Sequence, residues 1–259
     1  MKNNKLRTIA VTAAYSAGEE LLKRYYQYAR GDAKFKSQHE IVTKSDLISE
    51  KIIISEIKKH FPAHRILSEE AGKISGVSDY LWVVDPLDGT HNFSMHNSLW
   101  TVSIALFNKN KLILGIIFAP ALNELFLAEA DSGAWLNGKR IKVSGYKGEK
   151  VINTFCHGSK VSDIKKALKY YEYHKLHDLD CRQLGSASLE LAYTACGRVE
   201  SIVIPGANSW DVAAGVLLVQ ESGGKVTDFK NKAWNLKSPD MAASNGLVHK
   251  EILAAINKK

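Results

Sequence analysis

The chain has 259 residues, with 35 Lys+Arg against 27 Asp+Glu and a formal net charge of +8. Hydrophobic residues make up 45% and charged residues 24%, which excludes a disordered or fibrous chain and supplies enough apolar side chain for one large domain or two modest ones. The longest strongly apolar stretch, 112–119, falls far short of the roughly 20 residues that a bilayer crossing requires, so no membrane partner is expected.

Near the N-terminus, Leu6, Ile9, Ala10, Ala13, Ala17, Leu21 and Tyr25 recur at helical spacing, while Thr12, Tyr15 and Ser16 interrupt any continuous apolar run. This predicts an amphipathic helix of the mature protein, reaching about Tyr28, rather than a signal peptide. After a polar break a second helix is expected over 46–60, closed by Pro62. Strands are expected at 80–84, 101–107, 112–118 and 124–129, and Asn137-Gly138 after Ala134-Trp135-Leu136 is a hairpin turn signal. From about residue 145 strands and helices alternate: strand 151–155, helices 164–173 and 187–196, strand 199–204, helix 212–221, strand 225–228. There is no internal repeat, low-complexity tract or flexible linker. The expectation is an α/β protein, with an α+β unit over 1–145 and an α/β unit over 146–259. Cys156, Cys181 and Cys196 are odd in number and lack CxxC spacing, which fits reduced thiols in a cytoplasmic protein. The basic balance could attract an anionic small molecule or an RNA and by itself decides neither.

The chemistry lies in acids that interrupt the apolar framework. Glu69, Glu70, Asp79, Asp85 and Asp88 stand between Ile66 and Thr90 against the single base Lys73, a local acidic excess in a basic protein. In Trp82-Val83-Val84-Asp85-Pro86-Leu87-Asp88-Gly89-Thr90 a buried strand runs into an aspartate, and Pro86 has no N–H to continue a ladder. Asp85 and Asp88 are therefore expected on a tight turn at the strand end, sharing a site. Two carboxylates about 4 Å apart repel by about 4 kcal/mol at an effective dielectric of 20, so a shared proton or a divalent cation must neutralise them. Gly89-Thr90-His91-Asn92 could open a helix whose free N–H groups make an anion cradle beside that cation. An isolated DxxDG is more often a strand-end acid, a helix N-cap and a turn glycine. Here other acids accompany it. Leu67-Ser68-Glu69-Glu70 is read as extended, so one of Glu69 and Glu70 faces the site. Ser209-Trp210-Asp211-Val212-Ala213-Ala214-Gly215 starts a helix with Ser209 as N-cap and Asp211 in the first turn.

These three segments, in this order and spacing, resemble the signatures of the inositol monophosphatase family, and Gly185-Ser186-Ala187 and Glu221-Ser222-Gly223-Gly224 agree as well. The resemblance runs from Thr43 to about Asn245. It implies a layered α-β-α-β-α sugar-phosphatase fold and Mg²⁺-dependent, lithium-sensitive hydrolysis of a phosphate monoester, in a protein that is a homodimer. Carried over by position, Glu69, Asp85 and the Leu87 carbonyl would hold a first Mg²⁺, Asp85, Asp88 and Asp211 a second, and Glu69 with waters a third. Gly89 and Thr90 would bind phosphate through their N–H groups, and Asp46 would orient Thr90, which with Glu69 activates water. Gly185, Ser186, Ala187, Asn208 and Asp211 would line the substrate. Hard oxygen ligands suit Mg²⁺, and no His or Cys cluster offers a competing zinc site; His91 and His96 are expected to be solvated or satisfied in the core.

The metal and phosphate residues match the family pattern, whereas the alcohol-binding wall departs from it. Ile204 stands where inositol-phosphate members carry a hydroxyl-binding glutamate, Asn208 replaces a common His or Arg, and Ser94-Met95-His96-Asn97 replaces a Gly-containing stretch. The expected substrate is inositol monophosphate or a related polyol or sugar phosphate. Fructose 1,6-bisphosphate, a 3′-phosphoadenosine nucleotide or histidinol phosphate are the alternatives with the same chemistry. An RNA- or RNA-polymerase-associated regulator retaining the fold ranks below these, and a catalytically dead binding module ranks last, since no metal ligand is missing.

Overall fold

The computed structural model describes residues 2–27, 34–37 and 40–258. Helix α1 (Lys2–Gln27) follows the expected spacing, with Leu6, Ala10, Ala13, Ala17, Leu21 and Tyr25 all buried; its expected end near Tyr28 lies outside the described residues. Strands β1 (Lys34–Ser37) and β2 (Glu40–Val42) form a small antiparallel pair within the expected polar break. Helix α2 (Lys44–His60) begins earlier than expected because Thr43 caps it. The Thr43 hydroxyl accepts the Ser45 N–H at 3.0 Å, and Asp46 Oδ2 accepts the Thr43 N–H at 2.8 Å, a reciprocal box.

The first sheet contains β3 (Arg65–Ser68), β4 (Gly72–Ile74), β5 (Tyr80–Asp88), β6 (Thr101–Asn108), β7 (Lys111–Ala119), β8 (Glu124–Glu129), β9 (Gly133–Leu136) and β10 (Lys139–Arg140), with the short helix α3 (Thr90–Ser94) between β5 and β6. Its order is β10-β9-β8-β7-β6-β5-β3-β4, antiparallel except for the β3–β5 pair. Asn137 and Gly138 form the expected hairpin turn, at φ of 48° and 77°. Then come β11 (Ile152–Phe155), α4 (Val161–Leu176), β12 (Asp180–Arg182), α5 (Ala187–Ala195), β13 (Ser201–Pro205), α6 (Ser209–Glu221), β14 (Lys225–Thr227), β15 (Asp240–Ser244) and α7 (His249–Ile256). The second sheet runs β12-β11-β13-β15-β14, parallel across β12, β11 and β13 and antiparallel beyond.

The elements stack as α-β-α-β-α. Helices α1 and α2 cover one face of the first sheet, α5 and α6 lie between the sheets, and α4 and α7 cover the outer face of the second. Three buried clusters fill the gaps, and the central one joins Val83, Ala105 and Ile117 of the first sheet to Leu189, Val216 and Ile202. Every residue of α6 from Val212 to Val219 is buried, as expected of a helix that is apolar all round. Gly115 on β7 permits that packing, since a Cβ there would stand 2.6 Å from the Ala214 carbonyl oxygen. Among the described residues no helix is long and apolar enough to cross a membrane.

Two local expectations are corrected. Pro86 does not end β5 in a tight turn. Pairing with β6 passes from Asp85↔Ser103 to Asp88↔Thr101, so β5 spends one residue more than β6 and forms a bulge at Pro86–Leu87. The α6 N-cap is Asn208, not Ser209, and its side chain makes no cap bond; it donates instead to Asp211 Oδ2 at 3.2 Å. Strands β3, β4, β12 and β15 and helix α7 add to the expected elements; the three-residue pieces β4 and β12 are too short to show a period.

His249 ties β14 and β15 to α7. Its ring nitrogens lie 2.9 Å from the hydroxyls of Thr227 and Ser244, and burial, with Lys225 nearby, pushes its pKa down to about 4. An unfolded histidine titrates near 6.5, so the unfolded chain binds the extra proton between these values and stability falls as pH falls from about 6.5 to about 4. Urea unfolding should show wild type losing on the order of 2 kcal/mol across that range relative to His249→Gln. Parallel pH profiles for the two proteins would contradict this.

Candidate active site

Successive residues of a strand face opposite sides, so Asp85 and Asp88, three apart, would diverge on a regular strand. The bulge restores their parity. Asp85 and Asp88 pair with Ser103 and Thr101, which share a face of β6, and both carboxylates enter one cavity of about 490 Å³. Helix α2 holds the bulge from the other side: Ser49 donates to the Pro86 carbonyl at 2.7 Å. The Leu87 N–H donates to Asp85 Oδ1 at 3.0 Å, which fixes that carboxylate.

Glu69 follows β3 and reaches the same cavity, its N–H donating to the Val84 carbonyl at 3.2 Å. Glu70 does not line it, which answers the expectation that one of the two acids faces the site. The turn that carries them is clamped by Glu50 of α2, whose Oε1 accepts the Ser68 hydroxyl at 2.5 Å and the N–H groups of Glu70 and Ala71 at 3.2 and 2.9 Å. Asp211, in the first turn of α6, closes the acidic side, and exposed Asn208 stands beside it.

Asp88 sits at the N-terminus of α5, where Oδ2 accepts the Ser186 and Ser188 hydroxyls at 2.6 and 2.5 Å and the Ser188 N–H at 2.8 Å. Its carboxylate thus satisfies an orphan helix donor from another element. Gly89, at φ 87°, caps α3; a Cβ there would meet the Leu99 carbonyl at 2.8 Å, so both conformation and space require glycine. Gly89, Thr90 and exposed His91 line the cavity. Thr90 Oγ1 lies 3.2 Å from Asp46 Oδ1 and 3.0 Å from the Leu87 carbonyl. Asp46 is buried behind Thr90 and does not reach the cavity itself.

The opposite wall comes from the second sheet and its loops. Cys156, His157, Gly158 and Ser159 follow β11, Gln183 and Gly185 lead into α5, Ala187 opens it, and Ile204 lies near the end of β13. Ser186 is buried beneath this wall and bonded to Asp88 rather than lining the cavity. His157, Ser159, Gln183 and the capping Ser188 were not singled out in the sequence. A Cys-His-Gly-Ser segment directly after an apolar strand is the available signal, since loops at the carboxyl ends of parallel strands carry ligand sites.

Burial raises the pKa of all three aspartates. Asp85 is pushed well above the usual range by desolvation and then by Glu69, Asp88 and Asp211, and Asp211 by desolvation and then by Asp88 and Glu69. Asp88 is raised less far, because its serine bonds oppose desolvation. Asp46 is raised by burial against the pull of its bonds to Thr43 and Thr90.

Whether the residues suit a cation is answered by the donor set. Among the described residues no group of three or more His, Cys, Asp or Glu side chains stands in ready ligand geometry. The donors nevertheless converge electrostatically: four carboxylates share the cavity, no Lys or Arg lines it, and the Cys156 thiol is held protonated by burial and by Glu190. Such a set of hard oxygens fits Mg²⁺ rather than Zn²⁺.

The chain matches the model of the inositol monophosphatase family over residues 2–259. A fructose-1,6-bisphosphatase/inositol-1-monophosphatase of Thermotoga maritima is 40% identical over 219 residues, which cover 85% of this chain and 83% of that protein. A Nus factor SuhB of Pasteurella multocida is 37% identical over 259 residues, covering 98% of this chain and 96% of its own. The crystal structure of the extragenic suppressor protein SuhB from Bartonella henselae matches with a TM-score of 0.91 at 31% identity, over 98% of this chain and 99% of that one. Together with the acid-lined cavity, these similarities establish that the chain belongs to the inositol monophosphatase family, a family of metal-dependent phosphatases.

Proposed function

We propose that the protein hydrolyses inositol monophosphate, or a related polyol or sugar phosphate, in a Mg²⁺-dependent reaction at this cavity. The observation that carries the reading is the charge of the lining. A phosphate dianion is repelled from a cavity lined by Glu69, Asp85, Asp88 and Asp211 with no Lys or Arg, unless cations enter with it. Glu69, Asp85 and the Leu87 carbonyl would hold one Mg²⁺, Asp85, Asp88 and Asp211 a second, and Glu69 with water a third. Bound there, the ions supply Lewis acidity, acidifying water and neutralising phosphoryl charge.

The chain's own residues supply positioning and proton transfer. The orphan N–H groups at the start of α3, where Gly89 and Thr90 line the cavity, would donate to the phosphate oxygens. The Thr90 hydroxyl can take a proton from the attacking water while passing its own to Asp46 Oδ1, whose raised pKa suits it as acceptor. Water oxygen bonds to phosphorus, the phosphorus–alkoxide bond breaks, and the departing alkoxide takes a proton from solvent water, while Asp46 returns its proton to solvent. On the alcohol side Ile204 is buried and apolar and Asn208 is polar, which supports a substrate that does not need a carboxylate at the Ile204 position. Fructose 1,6-bisphosphate is the second reading, favoured by the name of the Thermotoga relative. The separate sheets support a division of the chain near residue 145, with α5 and α6 packed against both.

Phosphate release from myo-inositol 1-phosphate, fructose 1,6-bisphosphate, 3′-phosphoadenosine 5′-phosphate, histidinol phosphate and glycerol 2-phosphate, with and without Mg²⁺, tests the reading. Mg²⁺-dependent release from the inositol or sugar ester is expected. No release from any ester would overturn it and leave association with the transcription machinery, which the name of the Pasteurella relative brings forward, as the reading to pursue.

Asp85→Asn should abolish turnover, yet raise the thermal midpoint in chelator by roughly 2–4 °C, because it removes a buried charge facing three others. The stabilisation that Mg²⁺ gives the wild type should vanish in this variant. Near-normal activity would refute the assignment. Thr90→Val should lower kcat by about 10²- to 10⁴-fold with little change in melting. Asp211→Asn should raise the Mg²⁺ concentration for half-maximal rate at least about tenfold, a loss of one charge-assisted ligand; an unchanged titration would remove it from the metal site.

A further inference from the structure

Glu190 is fully buried in α5, outside the acidic cavity, and the reaction above makes no use of it. Its Oε1 accepts three donors: the N–H groups of Leu184 and Gly185, each at 3.0 Å, and the Cys156 thiol at 3.0 Å. Its Oε2 is buried with no hydrogen-bond partner among the described residues. A core position that needed only volume would be better filled by an apolar side chain, because a carboxyl with one oxygen unsatisfied is costly to bury. The three bonds to Oε1 account for its presence.

All three donors belong to the wall opposite the acids. Gly185 and Cys156 line the cavity, on loops that follow β12 and β11 respectively. The Leu184 carbonyl is held from the other side by Asn92 Nδ2 at 2.8 Å, and Ser186, two residues on, donates to Asp88. The Leu184–Ser186 turn therefore spans from the Glu190 carboxyl to an acid of the reaction centre.

We propose that Glu190 is a positioning residue for the substrate wall: one carboxyl oxygen sets the Leu184–Gly185 turn and the Cys156 side chain together, and so the width of the cavity on the alcohol side. Loss of this acceptor frees two loops from different elements at once. The effect falls chiefly on binding of the alcohol, since Asp88 keeps its two bonds from Ser188 on α5 and the rest of the phosphate end is held by α2, β5 and α3. The kinetic consequence rests on the phosphatase reading; the structural consequence does not.

Two variants and one structural probe decide it. Glu190→Gln keeps an acceptor oxygen in place, and Glu190→Met keeps length and volume without one. Amide hydrogen exchange at Leu184 and Gly185 should be at least about tenfold faster in Glu190→Met and within about twofold of wild type in Glu190→Gln, with β6 and β7 unchanged in both. The KM for myo-inositol 1-phosphate should rise about tenfold in Glu190→Met while kcat changes less, and Glu190→Gln should restore it. If Glu190→Met does not fold, Glu190→Asp, which withdraws the oxygen by one methylene, should accelerate the same two amides. Unchanged exchange at these amides in the folded variant, or equal losses in Glu190→Gln and Glu190→Met, would overturn the proposal. A wild-type protein that releases no phosphate would instead overturn the phosphatase reading, and the exchange measurement would still decide the role of Glu190.

Discussion

The site depends on one extra residue in one strand. Without the bulge at Pro86–Leu87, Asp85 and Asp88 would face opposite sides of the first sheet, one toward α1 and α2 and the other toward α5 and α6. With it, both face the central layer, and Leu87 turns to the cluster beneath α1 and α2. Proline suits this place because a bulge leaves a residue without a ladder partner, and proline has no N–H to lose. The Ser49 bond to the Pro86 carbonyl then takes up the acceptor that the interrupted ladder frees.

Gathering four carboxylates in one cavity opposes folding, and the surroundings offset that cost in distinct ways. Asp88, Asp85 and the turn of Glu69 are each fixed by hydrogen bonds, from another element, from the same strand and to an acceptor on α2 respectively. Ser186 and Ser188 hold Asp88, the Leu87 N–H holds Asp85, and Glu50 holds the turn of Glu69. None of these bonds comes from a basic side chain, so the negative potential of the cavity is retained while its geometry is fixed. The central layer supplies the opposing term: α5 and α6 bury apolar side chains against both sheets, at about 25 cal/mol per Å² of apolar surface removed from water. A cavity that is repulsive when empty and attractive to cations follows from placing a charged cluster at the end of a strongly apolar layer.

Much of this was legible in the residues. The long strands β6, β7 and β8 and the helices α1 and α6 carry sustained apolar patterns; β6, whose residues alternate in the sequence, is nevertheless buried on both faces because helices cover both sides of the sheet. Glu69, Asp85, Asp88 and Asp211 were legible because acids interrupting apolar runs have no packing reason to be there. The bulge was not, since Pro86 reads equally as the end of a strand and as its irregularity, and only the register with Ser103 and Thr101 separates the two. On the far wall Gly185, Ala187, Ile204 and Asn208 were legible, whereas His157, Ser159 and Gln183 were not, since they lie on loops after β11 and after β12, the latter only three residues long. The Asn208 cap was missed because Ser209 caps as well as asparagine does, and Asn208 turns its amide to Asp211 rather than making a cap bond.

Glu50 and Glu190 show a symmetry of means on the two sides of the cavity. Each is a buried carboxylate on a helix, and each uses one oxygen to accept two successive backbone N–H groups and a side-chain donor: Ser68 for Glu50, Cys156 for Glu190. Successive N–H groups that converge on one acceptor oxygen define a tight turn. The turn behind Glu50 presents Glu69, and the turn behind Glu190 presents Gly185 and Ser186. A loop held only by its neighbours along the chain would follow their motion, whereas a loop pinned to a packed helix takes on the rigidity of the core. The cavity thus has loops for its walls and helices for its frame, and its width on each side is set by a carboxylate that does not line it.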